Sequence, residues 1–240
     1  MFYKTSIVYF VFKRISDLVF SLLGLFILSP LFLLIMLILK HTAEKEVFYL
    51  QERMGLNNNP FYIYKFATMI KNSQYTGSKT VTLRNDPRVT RFGKILRFSK
   101  INELPQILNV IKGDMSLVGP RPLLTSSFKK YSREVQEIIY KNKPGITGLG
   151  SLIFRDEELL VSTYKDLGKD PLFYYKQYIY PYKGTVELFY HKNLSFLLDM
   201  KILFLTFFSL LNNNSNIVFK IIKGLPSKPD ALSVNGIKKI

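Results

Sequence analysis

Residues 18–39 form an uninterrupted apolar run, and this run restricts the fold more than any other feature of the sequence. It contains 22 residues, and none of them is charged. A straight helix of this length would extend about 33 Å, which is enough to cross the hydrocarbon core of a bilayer. The run is too long for a signal peptide and lacks the small-residue cleavage site of one. The sequence therefore predicts a membrane-attached helix near its beginning.

Pro30, which follows Ser29 near the middle of the run, leaves two courses open for this helix. A plain spanning helix is the simpler course. Proline lacks a backbone donor and clashes with the preceding turn, so a sharp bend is expected. Basic residues flank both ends of the run, with Lys13 and Arg14 before it and Lys40 after it, and positive residues prefer the cytoplasmic side. We therefore favour a re-entrant helix that is broken at Ser29-Pro30 and leaves the membrane by the face at which it entered.

The charge of the chain indicates which partners it meets. Lysine and arginine outnumber aspartate and glutamate by 34 to 17, which gives a formal net charge of +17. Such a chain binds phosphates, acidic lipid surfaces or nucleic acid. Hydrophobic residues make up 48% of the chain and no nucleic-acid-binding module is recognisable, so we expect membrane lipids and no nucleic acid. The chain has no cysteine, which excludes disulfides and thiolate chemistry.

The densest group of chemically active side chains lies in residues 97–122. Arg97 is followed by Asn102 and Glu103, and apolar residues then recur at helical spacing. Further along, Gly119-Pro120-Arg121-Pro122 is a stiff turn that holds one arginine, because proline restricts the backbone on both sides of it.

The residues just before this segment are strongly basic. Arg88, Arg91, Lys94 and Arg97 follow a single carboxylate, Asp86. Guanidinium groups bind phosphate oxygens two at a time, so we interpret this stretch as a cradle for a diphosphate. A basic helix lying on anionic headgroups is the alternative, and an enzyme at a membrane surface could use one basic face for both.

Several motifs follow one another in a fixed order. The residues concerned are Gln51, Arg53, Gly55, Phe61, Tyr64, Lys65, Phe66, Thr68 and Met69; Arg97 to Pro122; Pro144 to Gly148; and Asn193, Ser195, Asp199, Lys201, Ile202 and Thr206. Together they resemble the bacterial sugar transferases, small membrane-embedded phosphoglycosyl transferases that act on polyprenol phosphate. The resemblance covers about residues 10–208.

The chain departs from the family pattern at three positions. Asn102 stands where the family has the nucleophilic Asp of an Asp-Glu pair. Ala67 replaces the usual basic residue, and Leu149 stands where many members have tryptophan.

The resemblance implies a reaction at the cytoplasmic face of the bacterial inner membrane. A UDP-sugar gives its sugar-1-phosphate to polyprenyl (undecaprenyl) phosphate and UMP is released, which begins a surface glycan such as an O-antigen, a capsule, an exopolysaccharide or a glycoprotein oligosaccharide. A homodimer is left open.

The resemblance also assigns roles to individual residues. Asn102 occupies the nucleophile position, and Glu103 is the matching carboxylate ligand for Mg²⁺, which would neutralise the diphosphate. Lys65, Arg97, Arg121 and Arg91 are candidate phosphate contacts; a lone lysine in a strand is usually only solvated, so Lys65 depends on its matched context.

Asn102 cannot itself form the covalent phosphosugar intermediate of the family, because a carboxamide is neutral and weakly nucleophilic. Four interpretations are open: an engineered Asp→Asn change, a subgroup with another route (direct attack by the polyprenyl phosphate or use of Glu103), deamidation, or a silent homologue. The silent homologue would bind nucleotide sugar or scaffold other glycan-assembly enzymes. We favour an active transferase, because Glu103, Lys65 and the two arginines Arg97 and Arg121 are all retained.

The expected fold is α+β and mostly helical. It combines the re-entrant helix and interfacial amphipathic helices with a small sheet near residues 47–66, where a hairpin is the simplest interpretation. We divide the chain into residues 1–42 (membrane helix and flanks), 43–211 (catalytic domain at the cytosolic face) and 212–240, a C-terminal tail that we expect to be loose near its end.

Overall fold

The computed structural model describes residues 7–42, 45–71, 87–211 and 217–239. In these ranges the protein is a mostly helical α+β structure with one long apolar helix near its beginning, which confirms the predicted fold class.

The secondary structure begins with the long helix and a β-hairpin and continues as a series of shorter helices. The α-helices are α1 (Ile7–His41), α2 (Arg91–Phe98), α3 (Gln106–Lys112), α4 (Thr125–Phe128), α5 (Arg133–Ile138), α6 (Leu149–Ile153), α7 (Glu157–Asp166), α8 (Pro171–Tyr174), α9 (Tyr180–Lys192), α10 (Phe196–Leu211), α11 (Ile217–Ile221) and α12 (Val234–Ile237). The strands are β1 (Phe48–Met54), β2 (Pro60–Phe66), β3 (Ser116–Val118) and β4 (Gly145–Thr147). A π-helix, Tyr175–Ile179, joins α8 to α9.

The chain forms two compact units, which we name by a candidate site residue that each contains. The Lys65 unit consists of Asp17–Glu52 and Tyr62–Gly113, and the Arg121 unit consists of Met1–Ser16, Arg53–Phe61 and Asp114–Ile240. The helix α1 and the hairpin of β1 and β2 each contribute residues to both units. The division into three segments stays a prediction.

The helix α1 runs through Pro30 without interruption, so the expected break at Ser29-Pro30 is not seen. The physical reason lies in Ser29. Pro30 has no N–H to donate to the carbonyl of Phe26, four residues earlier, and the Ser29 hydroxyl donates to that carbonyl instead at 2.8 Å. The carbonyl therefore keeps a donor where water is scarce, and the helix continues. The re-entrant course stays a prediction.

The buried residues of α1 fall in two groups, before residue 22 and after residue 31. The buried positions recur at helical spacing: Tyr9, Lys13, Asp17, Ser21, Phe32, Ile35 and Leu39. The opposite face is apolar and exposed. By length and composition α1 could cross a membrane, and it is the one helix in the described ranges that meets this criterion.

The beginning of α1 is attached to the Arg121 unit by a buried polar cluster. Lys13 Nζ lies 2.6 Å from a carboxylate oxygen of Asp199 and also donates to the carbonyl of Val118. The hydroxyls of Tyr9 and Tyr190 donate to the same carboxylate at 2.9 and 2.8 Å. A buried charge is tolerated only when it is paired and hydrogen-bonded, and each charge here has both.

The predicted hairpin is present as the two-stranded sheet of β1 and β2, with a short 3₁₀ turn at Leu56–Asn58. A second sheet was not predicted: β3 and β4 pair in parallel, with Ser116 opposite Gly145 and Val118 opposite Thr147. Three-residue strands are too short to give an alternating pattern in the sequence.

The last described segment is packed rather than loose, which corrects our expectation for the tail; residues 212–216 lie outside the described ranges. Leu232 and Ile237 are fully buried in the main core of the Arg121 unit. The hydroxyl of Tyr174 donates to the carbonyl of Ala231, and that of Tyr182 donates to the carbonyl of Pro226. Apolar side chains that fill the core outweigh the polar composition of this segment.

Glu187 of α9 is a buried carboxyl in the Arg121 unit, 7% exposed. Gly150 of α6 lies so close that a Cβ at that position would be 2.6 Å from Glu187 Oε1. Burial raises the pKa of Glu187 from 4.5 to about 7, and the nearby Lys183, which is paired with Glu157, only partly offsets this.

This raised pKa should make the stability depend on pH. The folded state holds the Glu187 proton up to about pH 7, whereas the unfolded chain releases it above about pH 4.5. The free energy of unfolding should therefore fall by up to about 3 kcal/mol as the pH rises through this interval. Chemical denaturation in micelles should show that Glu187→Gln removes this slope, while the control Glu134→Gln, at an exposed position of α5, keeps it. Parallel profiles for Glu187→Gln and the parent would contradict this expectation.

Candidate active site

The turn between α2 and α3 presents Asn102 and Glu103. It is a single 3₁₀ turn, Ile101–Glu103, entered through Lys100 in the left-handed conformation at φ 60°. Pro105 follows and begins the next helix, where its missing N–H is not needed. Asn102 and Glu103 are both half-buried, so they remain open to a substrate while their backbone is constrained on both sides.

Asn109 of α3 attaches this helix to strand β2. It is fully buried, and its carboxamide makes two hydrogen bonds to the strand backbone: Oδ1 accepts from the N–H of Tyr64 at 3.0 Å, and Nδ2 donates to the carbonyl of Tyr62 at 2.8 Å. One side chain thus acts as a neighbouring strand would. The bonds fix the position of Lys65, the next residue of β2, relative to the turn before α3.

Lys65 and Glu103 are brought together by this arrangement. Lys65 Nζ lies 3.4 Å from Glu103 Oε1, and both side chains are partly buried. The separation of the two residues in sequence is 38, so only the fold makes them neighbours. The pair offers an ammonium and a carboxylate beside Asn102, a combination suited to binding phosphate oxygens and a divalent cation.

Arg97 is oriented by Thr68, a buried residue just after β2. The Nε of Arg97 donates to the Thr68 hydroxyl at 2.8 Å. The carbonyl of Thr68 accepts from the N–H of Thr90, which caps α2 by accepting from the N–H of Gly93 at 2.9 Å. A Cβ at Gly93 would lie 2.2 Å from the Thr68 carbonyl oxygen, so only glycine permits this close approach.

Removal of the Thr68 hydroxyl should weaken phosphate binding through Arg97. We expect Thr68→Val to lower kcat/KM for nucleotide-sugar turnover about tenfold, because one charge-assisted hydrogen bond is lost. The matched control is Thr68→Ser, which keeps the hydroxyl and should stay within about twofold of the parent. Steady-state kinetics would measure this, and equal losses in both variants would contradict the role of the hydroxyl.

The three arginines predicted to contact phosphate differ in their exposure and in the unit or helix face to which they belong. Arg91, the first residue of α2, is exposed and lies on a different face of the helix from Arg97, which is half-buried. Arg121 is exposed and belongs to the Arg121 unit.

The loop that carries Arg121 is fixed within its own unit, as its prolines predicted. The Tyr140 hydroxyl donates to the carbonyl of Arg121 at 2.8 Å and accepts from the N–H of Leu123 at 2.8 Å. The N–H of Gly119 donates to the backbone carbonyl of Thr147, and the N–H of Gly145 donates to the backbone carbonyl of Pro120. Burial raises the pKa of Tyr140, so this hydroxyl keeps its proton and continues to donate.

The Lys65 unit offers one carboxylate, Glu103, that could take part in binding a divalent cation. Among the described residues there is no group of three or more histidine, aspartate or glutamate side chains that could hold a metal. Mg²⁺ is commonly bound by one or two carboxylates together with substrate phosphates, and Glu103 can supply one carboxylate beside the cation Lys65.

The positioning roles of Thr68 and Asn109 were not predicted from the sequence. The sequence did contain an indication for Asn109, which lies between the apolar residues Leu108 and Val110 in a predicted helix. An amide buried at such a position must form hydrogen bonds inside the core. Thr68 gave no such sign, since threonine is common after a strand.

The model for the family described as "Bacterial sugar transferase" matches residues 8–213. The chain belongs to this family of bacterial sugar transferases. The match includes α1 as well as the turn, the hairpin and the loop described above, and therefore covers every candidate site residue.

Curated relatives within the family act on different sugars. The chain is 38% identical over 150 residues to the UDP-N-acetylgalactosamine-undecaprenyl-phosphate N-acetylgalactosaminephosphotransferase of Aeromonas hydrophila, covering 62% of this chain and 35% of the relative. It is 36% identical over 210 residues to the UDP-glucose:undecaprenyl-phosphate glucose-1-phosphate transferase of Klebsiella pneumoniae, covering 85% of this chain and 41% of the relative. It is also 36% identical over 194 residues to the uncharacterized sugar transferase EpsL of Bacillus subtilis, covering 81% of this chain and 84% of that protein.

The bacterial sugar transferase region shared with the Aeromonas and Klebsiella proteins is thus about two fifths or less of their length, whereas most of EpsL is matched.

Proposed function

We propose that this protein transfers a sugar-1-phosphate from a UDP-sugar to polyprenyl phosphate, releases UMP and so starts the assembly of a surface glycan. The observation that carries the proposal is the pairing of Lys65 with Glu103 beside Asn102, on a unit that also contains most of an apolar membrane helix. Two relatives named for transfer to undecaprenyl phosphate support the choice of acceptor.

The chemistry needs fixed positive charge, because both substrates are anionic. Lys65 and Arg97, which belong to the same unit, would bind and orient the diphosphate. The phosphate contact expected of Arg121 from the family resemblance stays a prediction. With Asn102 in place, an oxygen of the polyprenyl phosphate attacks the sugar-bearing phosphorus directly. The bond from that phosphorus to the bridging oxygen breaks, and UMP leaves with the electron pair, so no protein atom becomes covalently attached.

Mg²⁺ would be held by Glu103 and the substrate phosphates, and it would neutralise charge that develops on the leaving group. Lys65 Nζ, at 3.4 Å from Glu103 Oε1, would restrict the movement of that carboxylate.

We further propose that the protein is monotopic in the bacterial cytoplasmic membrane, with its catalytic residues at the cytoplasmic face. A spanning helix needs about 20 consecutive residues in the hydrocarbon. In α1 the longest interval between buried side chains is from Ser21 to Phe32, and Gly24 and Leu25 within it are half-buried. The stretch of α1 without a buried side chain, residues 22–31, is only half the length of a spanning segment, which suits the membrane surface or a re-entrant course better than a free crossing.

A second candidate function, binding of nucleotide sugar without turnover, is favoured by Asn102 alone. Its carboxamide has no charge with which to attack phosphorus. Such a protein would bind substrate or scaffold other enzymes of glycan assembly.

Release of UMP separates these two functions. The parent and Asn102→Asp proteins would be placed in nanodiscs with Mg²⁺ and undecaprenyl phosphate and offered a panel of UDP-sugars, because the relatives differ in their sugar. Acceptor-dependent UMP release by the parent is expected, and the panel would also identify the sugar. If the parent protein binds nucleotide sugar but releases no UMP, the non-catalytic function is favoured.

A further inference from the structure

Helix α2 has an exposed face that combines cations with large apolar side chains. Lys94 and Ile95 follow Arg91 by three and four residues, and Phe98 follows them by four and three, so the four residues lie on one side of the helix; all four are exposed. Phe98 is 93% exposed and Ile95 is 63% exposed. A single exposed apolar residue needs no explanation, but two adjacent ones flanked by cations indicate a surface that meets something apolar and anionic.

The other face of α2 is packed against the final turns of α1, within the same unit. Leu96 is buried together with Phe32 and Leu39, and Phe92 packs against the same cluster. This part of α1 is where the apolar run ends and Lys40 begins the polar chain. In a membrane protein such a transition lies at the boundary between hydrocarbon and headgroups. A membrane position of this kind for the end of α1 would put the outer face of α2 at the depth of the headgroups.

The charge of this segment is of one sign only. Residues 91–100 contain Arg91, Lys94, Arg97 and Lys100 and no carboxylate. Basic side chains near a bilayer are attracted to anionic lipids, and long ones extend to the headgroups while their neighbours insert.

We infer that the outer face of α2 docks on anionic phospholipids, with Ile95 and Phe98 inserted among the acyl chains and Lys94 and Arg91 bound to phosphate headgroups. The turn with Asn102 and Glu103 begins three residues after Phe98, so this docking would hold the candidate active site at the level of a membrane-bound acceptor. Contact of α2 with lipid does not require that the protein turn over a substrate.

The absence of cysteine from the chain makes a direct test practical. Phe98→Cys would be labelled with an environment-sensitive fluorophore in the 240-residue protein, in nanodiscs of phosphatidylcholine with or without phosphatidylglycerol. Phe26→Cys on the exposed face of α1, where Phe26 is 78% exposed, provides a reference for immersion in lipid. Asn59→Cys, in the exposed hairpin turn, provides a reference for water.

The label at position 98 should be quenched by nitroxides attached to lipid chains, as at position 26. Its quenching by aqueous iodide should be at least about fivefold weaker than at position 59. Phosphatidylglycerol should strengthen this protection, and Lys94→Glu should remove that increase.

Three results would overturn the inference. The first is iodide quenching at position 98 equal to that at position 59. The second is protection from iodide without quenching by lipid nitroxides, which would mean that another segment of the chain or a second copy covers the face. The third is protection that is the same with and without phosphatidylglycerol, which would exclude the role of anionic lipid.

Discussion

The Asn102→Asp variant should release UMP from the UDP-sugar even without polyprenyl phosphate, in a burst of about one UMP per protein. The position lies on the constrained turn Ile101–Glu103, beside the Lys65–Glu103 pair, so a carboxylate there would face the same phosphorus that the acceptor attacks. With acceptor present, we expect turnover at least about 100-fold faster than in the parent, since one difficult displacement is divided into two easier ones. Rapid-quench measurement of UMP would record both the burst and the steady rate.

The control for this prediction is Asn102→Ala. Direct attack by the acceptor does not use the carboxamide, so this variant should keep a rate within about tenfold of the parent and show no burst. If Asn102→Asp gives neither a burst nor a faster rate, then residue 102 is not at the reacting phosphorus and the assignment of the site is wrong.

Asn109→Asp should have the opposite effect, although the chemical change is the same and the position is only seven residues away. The substitution replaces Nδ2, which donates to the Tyr62 carbonyl at 2.8 Å, with an oxygen that repels it. Asn109 is fully buried, so an unpaired charge would be placed inside the core of the Lys65 unit. We expect the free energy of unfolding at pH 7.5 to fall by about 4 kcal/mol and transfer to be largely lost, since β2 no longer holds Lys65.

Two comparisons make this expectation specific. Asn59→Asp, the same change at an exposed turn, should alter the unfolding free energy by no more than about 0.5 kcal/mol. At pH 5 the Asn109→Asp protein should recover part of its stability, because the new carboxyl takes up a proton and can donate to Tyr62. Unchanged stability and activity would show that the two hydrogen bonds to β2 do not position the site.

Features formed by residues close together in the chain could be predicted from the sequence. The apolar run and the hairpin depend on residues close together in sequence, and both are present. The stiffness of the loop around Arg121 was predicted from its own prolines, whereas the hydrogen bonds of Tyr140 that fix it come from further along the chain. The pairing of Lys65 with Glu103 could be suspected only through the resemblance to a family, since the two residues are far apart in the chain.

The features that the sequence did not reveal depend on contacts between distant segments. The tail was expected to be loose from its polar composition, but Leu232 and Ile237 complete a core formed mainly by other helices. The parallel pair β3–β4 brings together segments separated by helices and is too short to show a pattern. The usual effect of proline in a helix predicted a break at Pro30. The hydroxyl of Ser29 instead donates to the carbonyl of Phe26, which Pro30 cannot do, and the helix continues.

The most direct test of the proposed site is intact-protein mass spectrometry of the Asn102→Asp protein mixed with its UDP-sugar, Mg²⁺ and no acceptor. The expected result is a gain in mass of one sugar phosphate, located in the peptide that contains residue 102 and lost when polyprenyl phosphate is added. No gain in mass with bound nucleotide sugar, or a gain located in a different peptide, would contradict the claim that phosphoryl transfer takes place at the turn between α2 and α3.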